Sequence, residues 1–403
     1  MLKQKYLTVT IAMASVSFFA QSDTHSFDAR STGMGGIGVS NANYVTAAFH
    51  NPALVAKFND DDDVGLLLPY IGIQAQDSDE LVDQLDDFSD LYDDFGNTNN
   101  PSEIQNEIEN IVNSLEQMQG DSAYIQVGIG GAITIPNTLL SFSIYSKIYA
   151  DGFIVADISS DDLDYSHYVD PNYELKSQAV GLGVSIAEVG VAMAKSFKLE
   201  NGTVYVGFTP KYQNVNTVNY AVSIDNYDFD DFDDDRHQND EGNFNLDIGV
   251  AYTFDENFVF GFVGKNLIKQ NYNTVLSDAN IQANYVVNPV YTVSASFNNS
   301  LFSIGIDIDL NESERYEDFS GLNVNNAQSA NDNTQMAGIG AEFNAWDWAQ
   351  IRLGYQSDIA NTLDDQITAG IGLSPFGVFH LDLSAMYSGD EQFGVALQTA
   401  FTF

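Results

Sequence analysis

Cysteine is absent from this chain, and basic residues are scarce. Without thiols, the chain holds no disulfide framework and no thiolate metal site. Lys and Arg together number 14 against 57 Asp and Glu, so the formal net charge is −43 at pH 7. A field of that sign repels nucleic-acid phosphates, and nucleic-acid binding is therefore disfavoured. The composition therefore favours functions that need neither thiols nor a basic surface.

Long apolar runs are also missing beyond the N-terminus. Residues 1–20 have the form of a secretory signal peptide, because two lysines precede an almost uncharged and mostly apolar stretch. That stretch is shorter than the roughly 20 residues that cross a bilayer as a helix, so a signal anchor is the weaker interpretation. We expect cleavage after Ala20 or, alternatively, after Ser17. No later segment has 18 consecutive apolar residues, which excludes a helical inner-membrane protein.

What the chain has in abundance is strict alternation of apolar and polar residues. In residues 243–255, for example, Phe244 and Ile248 share one face, and Asn245 and Asp247 share the other. Most runs of this kind are about 10–13 residues long, enough for a tilted strand to cross a membrane and longer than the usual soluble strand. The predicted strands are 64–76, 122–135, 139–157, 174–198, 203–224, 243–254, 258–271, 282–298, 300–311, 334–344, 348–358, 366–374, 376–388 and 391–403.

The links between the predicted strands alternate between short and long. The long links are 77–121, 158–173, 225–242, 272–281 and 312–333. Transmembrane barrels combine short periplasmic turns with long extracellular loops, and closure leaves no unpaired strand edge in lipid. The pattern therefore predicts an all-β fold, a transmembrane antiparallel β-barrel of about 14 strands with apolar residues toward lipid and polar residues around a hydrated lumen. A secreted soluble β protein is the alternative.

Two segments depart from the strand pattern. Residues 77–121 carry apolar residues at helical spacing and predict a pair of amphipathic helices in the first long loop. These helices would cap the extracellular mouth, dock a partner or pack on themselves. Residues 225–242 carry an acidic run whose carboxylates suit Ca²⁺, but the run lacks EF-hand spacing, so a solvated loop is preferred over a metal site. The weak calcium candidates are Asp230, Asp231, Asp233, Asp234 and Asp235.

A Gly-rich segment precedes the first strand. Residues 30–36 read Arg-Ser-Thr-Gly-Met-Gly-Gly, and Asn-Pro-Ala follows at 51–53. This combination resembles the FadL family of outer-membrane transporters and, more closely, its TraF-like branch of conjugal transfer proteins. The resemblance implies a 14-strand barrel, here 64–403, plugged by an N-terminal hatch, here 21–63, through which hydrophobic compounds such as long-chain fatty acids pass. The implied hatch residues are Gly33, Gly35, Gly36, Asn51, Pro52 and Ala53.

The resemblance also implies features of the wall and of the chain end. In the family a kinked wall strand opens a lateral exit, and the long strand 174–198 is the candidate here. The glycines of that implied kink are Gly181, Gly183 and Gly190. Pro210 cannot donate to a strand ladder, so it predicts a bulge or kink in the next strand. Phe401 and Phe403 share a face of the last strand and resemble the C-terminal signal that the barrel-assembly machinery reads.

The sequence offers little support for catalysis. Its five histidines lie in unrelated segments, and neither a nucleophile elbow nor a His-x-x-x-His pair is present, so we do not expect an enzyme. We expect a FadL-like channel in the outer membrane of a Gram-negative bacterium, for passive uptake of hydrophobic small molecules gated by the hatch. The alternative is a structural or docking component of conjugal transfer without transport. The expected partners are outer-membrane lipid, the assembly machinery and a hydrophobic ligand, with no cofactor.

Overall fold

Strands dominate the computed structural model, which describes residues 26–77, 80–95, 101–170, 172–228, 231–232, 234–320, 333–346, 348–389 and 392–403. The strands are β1 (Gly65–Asp77), β2 (Ser122–Ile135), β3 (Ser141–Asp157), β4 (Gln178–Leu199), β5 (Gly202–Ser223), β6 (Gln238–Phe254), β7 (Phe258–Lys265), β8 (Gln270–Asn273), β9 (Gln282–Val287), β10 (Val290–Asn298), β11 (Phe302–Asp309), β12 (Tyr316–Ser320), β13 (Met336–Asn344), β14 (Ala349–Asp358), β15 (Gln366–Leu373), β16 (Phe379–Ser388) and β17 (Gln392–Thr402). The α-helices are α1 (Ala29–Thr32), α2 (Ala47–His50), α3 (Leu81–Phe95) and α4 (Pro101–Met118). Short 3₁₀ helices span Pro52–Ala56, His167–Val169, Ile224–Asn226 and Asp235–His237.

Fourteen of the strands form a closed antiparallel barrel in the order β1-β17-β16-β15-β14-β13-β11-β10-β7-β6-β5-β4-β3-β2. The ring closes where the first strand meets the last. There the Phe403 amide donates to the Val64 carbonyl at 2.9 Å, and the Val64 amide donates to the Phe403 carbonyl at 3.1 Å. The predicted 14-strand antiparallel barrel is confirmed, and closure leaves the barrel with no free strand edge.

The two faces of the wall differ as the alternation predicts. On β17, Phe393 is 63% exposed, whereas the neighbouring Gln392 is 1% exposed. Outward Ile and Leu side chains on the other strands, such as Ile367 and Leu353, are exposed in the same way. The inward polar side chains are buried, so the lumen is largely filled by protein in this conformation.

Two of the predicted strands are wrong in extent. The runs 258–271 and 282–298 each break in two. Their parts β8 and β9 leave the wall and form, with β12, a separate three-stranded sheet in which β9 is the middle strand. The breaks have local causes, since Asn266 adopts a positive φ of 53° and Pro289 lacks an amide donor. Parts of the long loops therefore turn inward, and we call β8, β9 and β12 the luminal sheet.

The predicted helical insertion is confirmed as α3 and α4. Its apolar side chains, among them Leu85, Phe88 and Leu115, form a buried cluster with outward-facing residues of the long strands, such as Ile154 and Tyr220. The hairpin thus packs on the outer face of β2–β5 near the long-loop end, and does not lie across the mouth. None of the described helices is both long and apolar enough to span a bilayer.

The register of the wall is irregular at one proline and regular at another. The pairing of β4 with β5 keeps a single register on both sides of Pro210, although Pro210 itself lies outside the paired positions of these two strands. The predicted bulge is therefore wrong, and the alternative of a local kink stays a prediction. By contrast, β1 shifts by one residue against β2 between Leu67 and Tyr70 and against β17 between Leu67 and Ile71, and Pro69 lies in both intervals. The wall irregularity therefore lies in the first strand.

Candidate functional site in the barrel lumen

The N-terminal segment 26–57 lies inside the ring of strands, and we call it the hatch. Its Phe27 packs against glycines of β1 and β2, its Val39 against Gly261 of β7, and its Gly35 against Gly354 of β14. These strands lie on different sides of the closed barrel, so a segment that touches all of them occupies the lumen. Gly33, Gly35 and Gly36 belong to this segment, as the resemblance implied.

Glycines of the wall face the hatch and let the two backbones approach closely. A Cβ on Gly207 would lie 2.5 Å from the Ala53 amide nitrogen, and one on Gly261 would lie 2.6 Å from the Val39 carbonyl oxygen. Gly35 itself has a φ of +71°, a left-handed conformation that glycine adopts without strain. Sequence reasoning assigned glycine a role in the hatch and missed the matching glycines in the wall.

Asn51, Pro52 and Ala53 connect the hatch to the wall. The Asn51 Oδ1 accepts the Ala53 amide at 3.0 Å and so caps the 3₁₀ helix that Pro52 begins. The Asn51 Nδ2 donates to the Val39 carbonyl at 2.8 Å and to the Val250 carbonyl of β6 at 3.3 Å. One buried side chain thus joins two hatch segments and one wall strand.

An ion-pair chain fixes the opposite side of the hatch. Arg30 of the hatch lies 3.0 Å from Glu342 of β13, which also binds Arg352 of β14 at 2.6 Å. Arg352 in turn binds Asp382 of β16 at 2.7 Å. Four charges therefore compensate one another inside the lumen, as buried charges require.

Further polar contacts hold the middle of the hatch. Asp307 of β11 accepts the amides of Gly38 at 2.8 Å and Val39 at 2.9 Å through one carboxylate oxygen. The hydroxyls of Ser40 and Ser294 of β10 lie 2.6 Å apart. These contacts tie the hatch to β10 and β11, on another side of the ring.

Within the hatch, Asp28 and His50 form a buried pair at 2.6 Å. Burial raises the pKa of the Asp28 carboxyl, but the attraction of His50 and hydrogen bonds from His50 and Ser31 outweigh burial and hold this pKa at about 2. The pair joins α1 to α2, so the ionised carboxylate helps to fold the hatch on itself.

The interior beside β1–β5 is apolar and aromatic. The Phe27 ring stacks on Tyr149 at 5.5 Å, and the Phe49 ring meets Tyr70 at 5.5 Å and Tyr145 at 5.2 Å. These side chains belong to one buried cluster that continues up to the luminal sheet. The lining on this side suits an apolar molecule more than an ion.

A charge cluster interrupts that apolar lining without offering a free charge. Glu188 of β4 lies 3.1 Å from Lys211 of β5, and Lys211 lies 3.0 Å from Asp247 of β6. The Tyr145 hydroxyl donates to Glu188 at 2.6 Å. Because these lysine and carboxylate groups already bind one another, they do not form a ready clamp for a ligand carboxylate.

The space left between hatch and wall is small. A cavity of about 40 Å³ is lined by Phe27, Gln74, Gln126, Gln366 and Met386 with neighbouring residues, and a second cavity has about 30 Å³. Such volumes hold a few water molecules, whereas ligand pockets have roughly 300–1,000 Å³. The structure is therefore a closed form of the lumen.

The remaining residues singled out by sequence lie outside the lumen or in the wall itself. The ladder between β3 and β4 runs unbroken past Gly181, Gly183 and Gly190, whereas the ladder between β4 and β5 lacks paired residues at 191–192, next to Gly190. The implied kink stays a prediction. Gly181 and Gly183 pack against Phe232. Phe401 and Phe403 stack at 6.3 Å at the short-turn end of β17, and their role as an assembly signal stays a prediction.

The acidic loop gathers around an arginine. Asp231 lies 3.1 Å and Asp234 3.4 Å from Arg236, and Asp234 also caps the 3₁₀ helix that follows it. Asp235 lies in that helix, whereas Asp230 and Asp233 lie outside the described residues. Within the described part of the chain no group of three His, Asp or Glu side chains is placed to hold a metal ion. Two of the five calcium candidates thus already have a cationic partner.

Comparison with solved structures identifies the class of this fold. The toluene transporter TbuX of Ralstonia pickettii superposes with a TM-score of 0.55 at 11% identity, over 94% of this chain and 99% of that chain. A FadL homologue of Pseudomonas aeruginosa gives a TM-score of 0.54 at 11% identity, over 96% and 99%. A mutant of the TodX monoaromatic hydrocarbon channel gives 0.54 at 10% identity, over 94% and 98%. The chain has the fold of the FadL-type outer-membrane channels.

The sequence family is narrower than the fold. Residues 48–309, more than half of the chain, match the family described as the F plasmid transfer operon TraF protein. The chain belongs to that family. No curated protein sequence matches the chain.

Proposed function

We propose that the protein is a passive outer-membrane channel for hydrophobic small molecules and that the hatch is its gate. The observation that carries this proposal is the position of the hatch, which fills the lumen of a closed barrel beside an aromatic lining. An apolar ligand enters at the long-loop end, the hatch shifts away from β10 and β11, and the ligand leaves at the short-turn end. No energy source is needed for movement down a gradient.

Several features support a movable hatch. Its anchors to the wall are hydrogen bonds and ion pairs that water can replace, such as those of Asp307 and Arg30. The likeness to hydrocarbon channels supports an apolar cargo. At about 10% identity, however, that likeness establishes the fold alone. Family membership favours a second candidate, a docking component of conjugal transfer in which the filled lumen never opens.

A reversible lock on the hatch tests the proposal. The Ser40 and Ser294 hydroxyls lie 2.6 Å apart, so Ser40→Cys with Ser294→Cys places two sulfurs near the disulfide length of about 2.0 Å. The chain has no other cysteine to interfere. In proteoliposomes, oxidation should reduce uptake of a labelled hydrophobic compound, such as toluene or a long-chain fatty acid, at least tenfold, and reduction should restore it.

The matched control is a disulfide that leaves the hatch free. Thr134 of β2 and Ser143 of β3 face each other at 2.7 Å within the wall, so Thr134→Cys with Ser143→Cys should leave uptake unchanged in both redox states. Full uptake with the hatch locked would contradict gating. No uptake by the wild-type protein, together with loss of conjugal transfer on deletion, would support the docking function instead.

A further inference from the structure

The luminal sheet reaches across the full width of the barrel. Its strand β12 comes from the loop between β11 and β13, and Arg315, just before β12, contacts β3. In the ring, five strands separate β11 from β3 on one side, and six separate β13 from β3 on the other. The segment between β11 and Arg315 therefore crosses the lumen close to its diameter, at the long-loop end and above the hatch.

A buried ion pair holds this crossing segment. Arg315 is 1% exposed, and its guanidinium pairs with Asp151 on the inner face of β3. Asp151 also accepts the Tyr124 hydroxyl at 2.8 Å and the Gln126 amide at 3.3 Å. Because a buried carboxylate without a cation is costly, this contact is a specific latch between a loop and the opposite wall.

Aromatic contacts complete the closure. The Tyr316 hydroxyl donates to the Gly183 carbonyl of β4, and the Tyr316 ring meets Phe153 of β3 at 5.9 Å. Tyr285 of β9 lies 5.1 Å from Tyr316, so two loops share one buried aromatic group. The sheet thereby covers the apolar inner surface of β3 and β4.

The second loop of the sheet is fixed on β5. The Asn219 side chain of β5 donates to the carbonyls of Val275 at 2.8 Å and Ile281 at 2.9 Å, and the Ala279 amide donates to the Ala221 carbonyl at 3.1 Å. The outer face of the same strands is covered by α3 and α4. The wall that receives the sheet is therefore braced from outside, so a separation of the two requires the sheet to move.

We propose that the luminal sheet is a second gate, in series with the hatch and latched by Arg315 and Asp151. This inference rests on the proposed channel function, since it specifies how that channel is regulated. A ligand arriving at the long-loop end meets the sheet first, and the hatch closes the lumen below it. With two gates in series, the lumen stays sealed as long as one of them is closed.

Ion conductance in planar bilayers separates one gate from two. The variants are deletion of residues 26–57, Arg315→Met, and both changes together, each in the otherwise full chain. Gates in series predict little conductance for either single change and at least tenfold more for the combination. Equally high conductance for the hatch deletion and the combination would overturn the second gate, and it would leave the hatch as the gate of the proposed channel. Equally low conductance would overturn both gates.

Thiol labelling reports the sheet directly and does not depend on a pore. Ala283→Cys places a thiol in β9 where the side chain is 2% exposed, and Ala251→Cys places one in β6 where it is 1% exposed. Arg315→Met should raise labelling of position 283 by a membrane-impermeant maleimide at least tenfold and leave position 251 protected. Protection of both positions would overturn the latch, and labelling of both would overturn an independent movement of the sheet.

The control for charge removal is Arg236→Met. Arg236 also pairs with aspartates, but it lies exposed on the outer loop. This variant should change neither conductance nor labelling of position 283. If it raised either as much as Arg315→Met does, the effect would be general to arginine loss and the latch would be excluded.

Discussion

The hatch and the luminal sheet fill the same lumen, yet they are attached to the wall in different ways. The hatch is held largely through backbone atoms: its carbonyls and amides lie against wall glycines, and Asp307 accepts two of its amides. Side chains such as Arg30 and Ser40 add further contacts. The sheet is held through a few side chains, chiefly Arg315, Tyr316 and Asn219. One attachment depends on shape around much of the ring, the other on a handful of chemical partners.

This difference predicts which kind of substitution should disrupt the hatch and which should disrupt the luminal sheet. A shape fit is spread over many positions, so it resists loss of any one polar contact but not an added side chain at a wall glycine. A side-chain latch tolerates added bulk elsewhere but fails with one buried partner, as proposed for Arg315. Substitutions in the wall and in the latch should therefore separate the two regions.

The largest effect on the hatch is expected from Gly354→Val. A Cβ at Gly354 would clash with the Gly35 amide and the Met34 carbonyl carbon, which are backbone atoms with no rotamer to change. We expect the seating of the hatch to weaken by about 3 kcal/mol, the upper part of the usual overpacking cost. Maleimide labelling of Ser40→Cys should rise accordingly.

The control for added volume is Gly152→Val in β3, where the nearest atoms to a new Cβ lie at 3.8 Å. This variant should leave the hatch protected. Equal labelling in the two variants would show that bulk in the wall, and not the fit to the hatch backbone, controls seating.

A smaller effect is expected from acid. The pKa of Asp28 is about 2 in the seated hatch, against 3.8 for an ordinary aspartate, so the folded hatch prefers the ionised form. Its contribution is present above pH 4 and is lost as the pH falls toward 2; the difference corresponds to about 2 kcal/mol. Hydrogen exchange of residues 26–57, corrected for its intrinsic pH dependence, should accelerate over that range.

The same experiment on Asp28→Asn separates this carboxyl from the others. The variant should exchange faster at neutral pH and show a weaker acceleration between pH 4 and 2. An unchanged pH profile in the variant would assign the acid response to other groups, and the luminal sheet serves as an internal reference because Asp28 does not contact it.

Period-two alternation predicted the wall well because lipid selects one face of every strand. The outward stripe of β17, with Phe393 and Val395, and the buried partners between them follow directly from that requirement. The helices α3 and α4 were equally predictable, because their apolar spacing changes to 3.6 residues. These features depend on residues close together in sequence.

The contents of the lumen were harder to predict, because they depend on residues far apart. The strands of the luminal sheet alternate like wall strands, so periodicity alone placed 258–271 and 282–298 in the wall. The Asn288-Pro289 pair was a local signal of the break, since proline cannot donate to a ladder. The match between Gly354 and Gly35, more than 300 positions apart, has no local signal at all.

The smallest effect is expected from Arg30→Met, and it sharpens the contrast with the latch. Glu342 loses Arg30 but keeps Arg352 at 2.6 Å, so no carboxylate is left without a cation. The hatch should lose about 1 kcal/mol of seating, near the value of a hydrogen bond or a partly exposed ion pair. Labelling of Ser40→Cys should rise a few-fold, well below the rise expected for Gly354→Val, and Ala283→Cys should stay protected. If Arg30→Met released the hatch as completely as Gly354→Val, the hatch too would be held by one ionic partner, and the distinction between a shape fit and a latch would be lost.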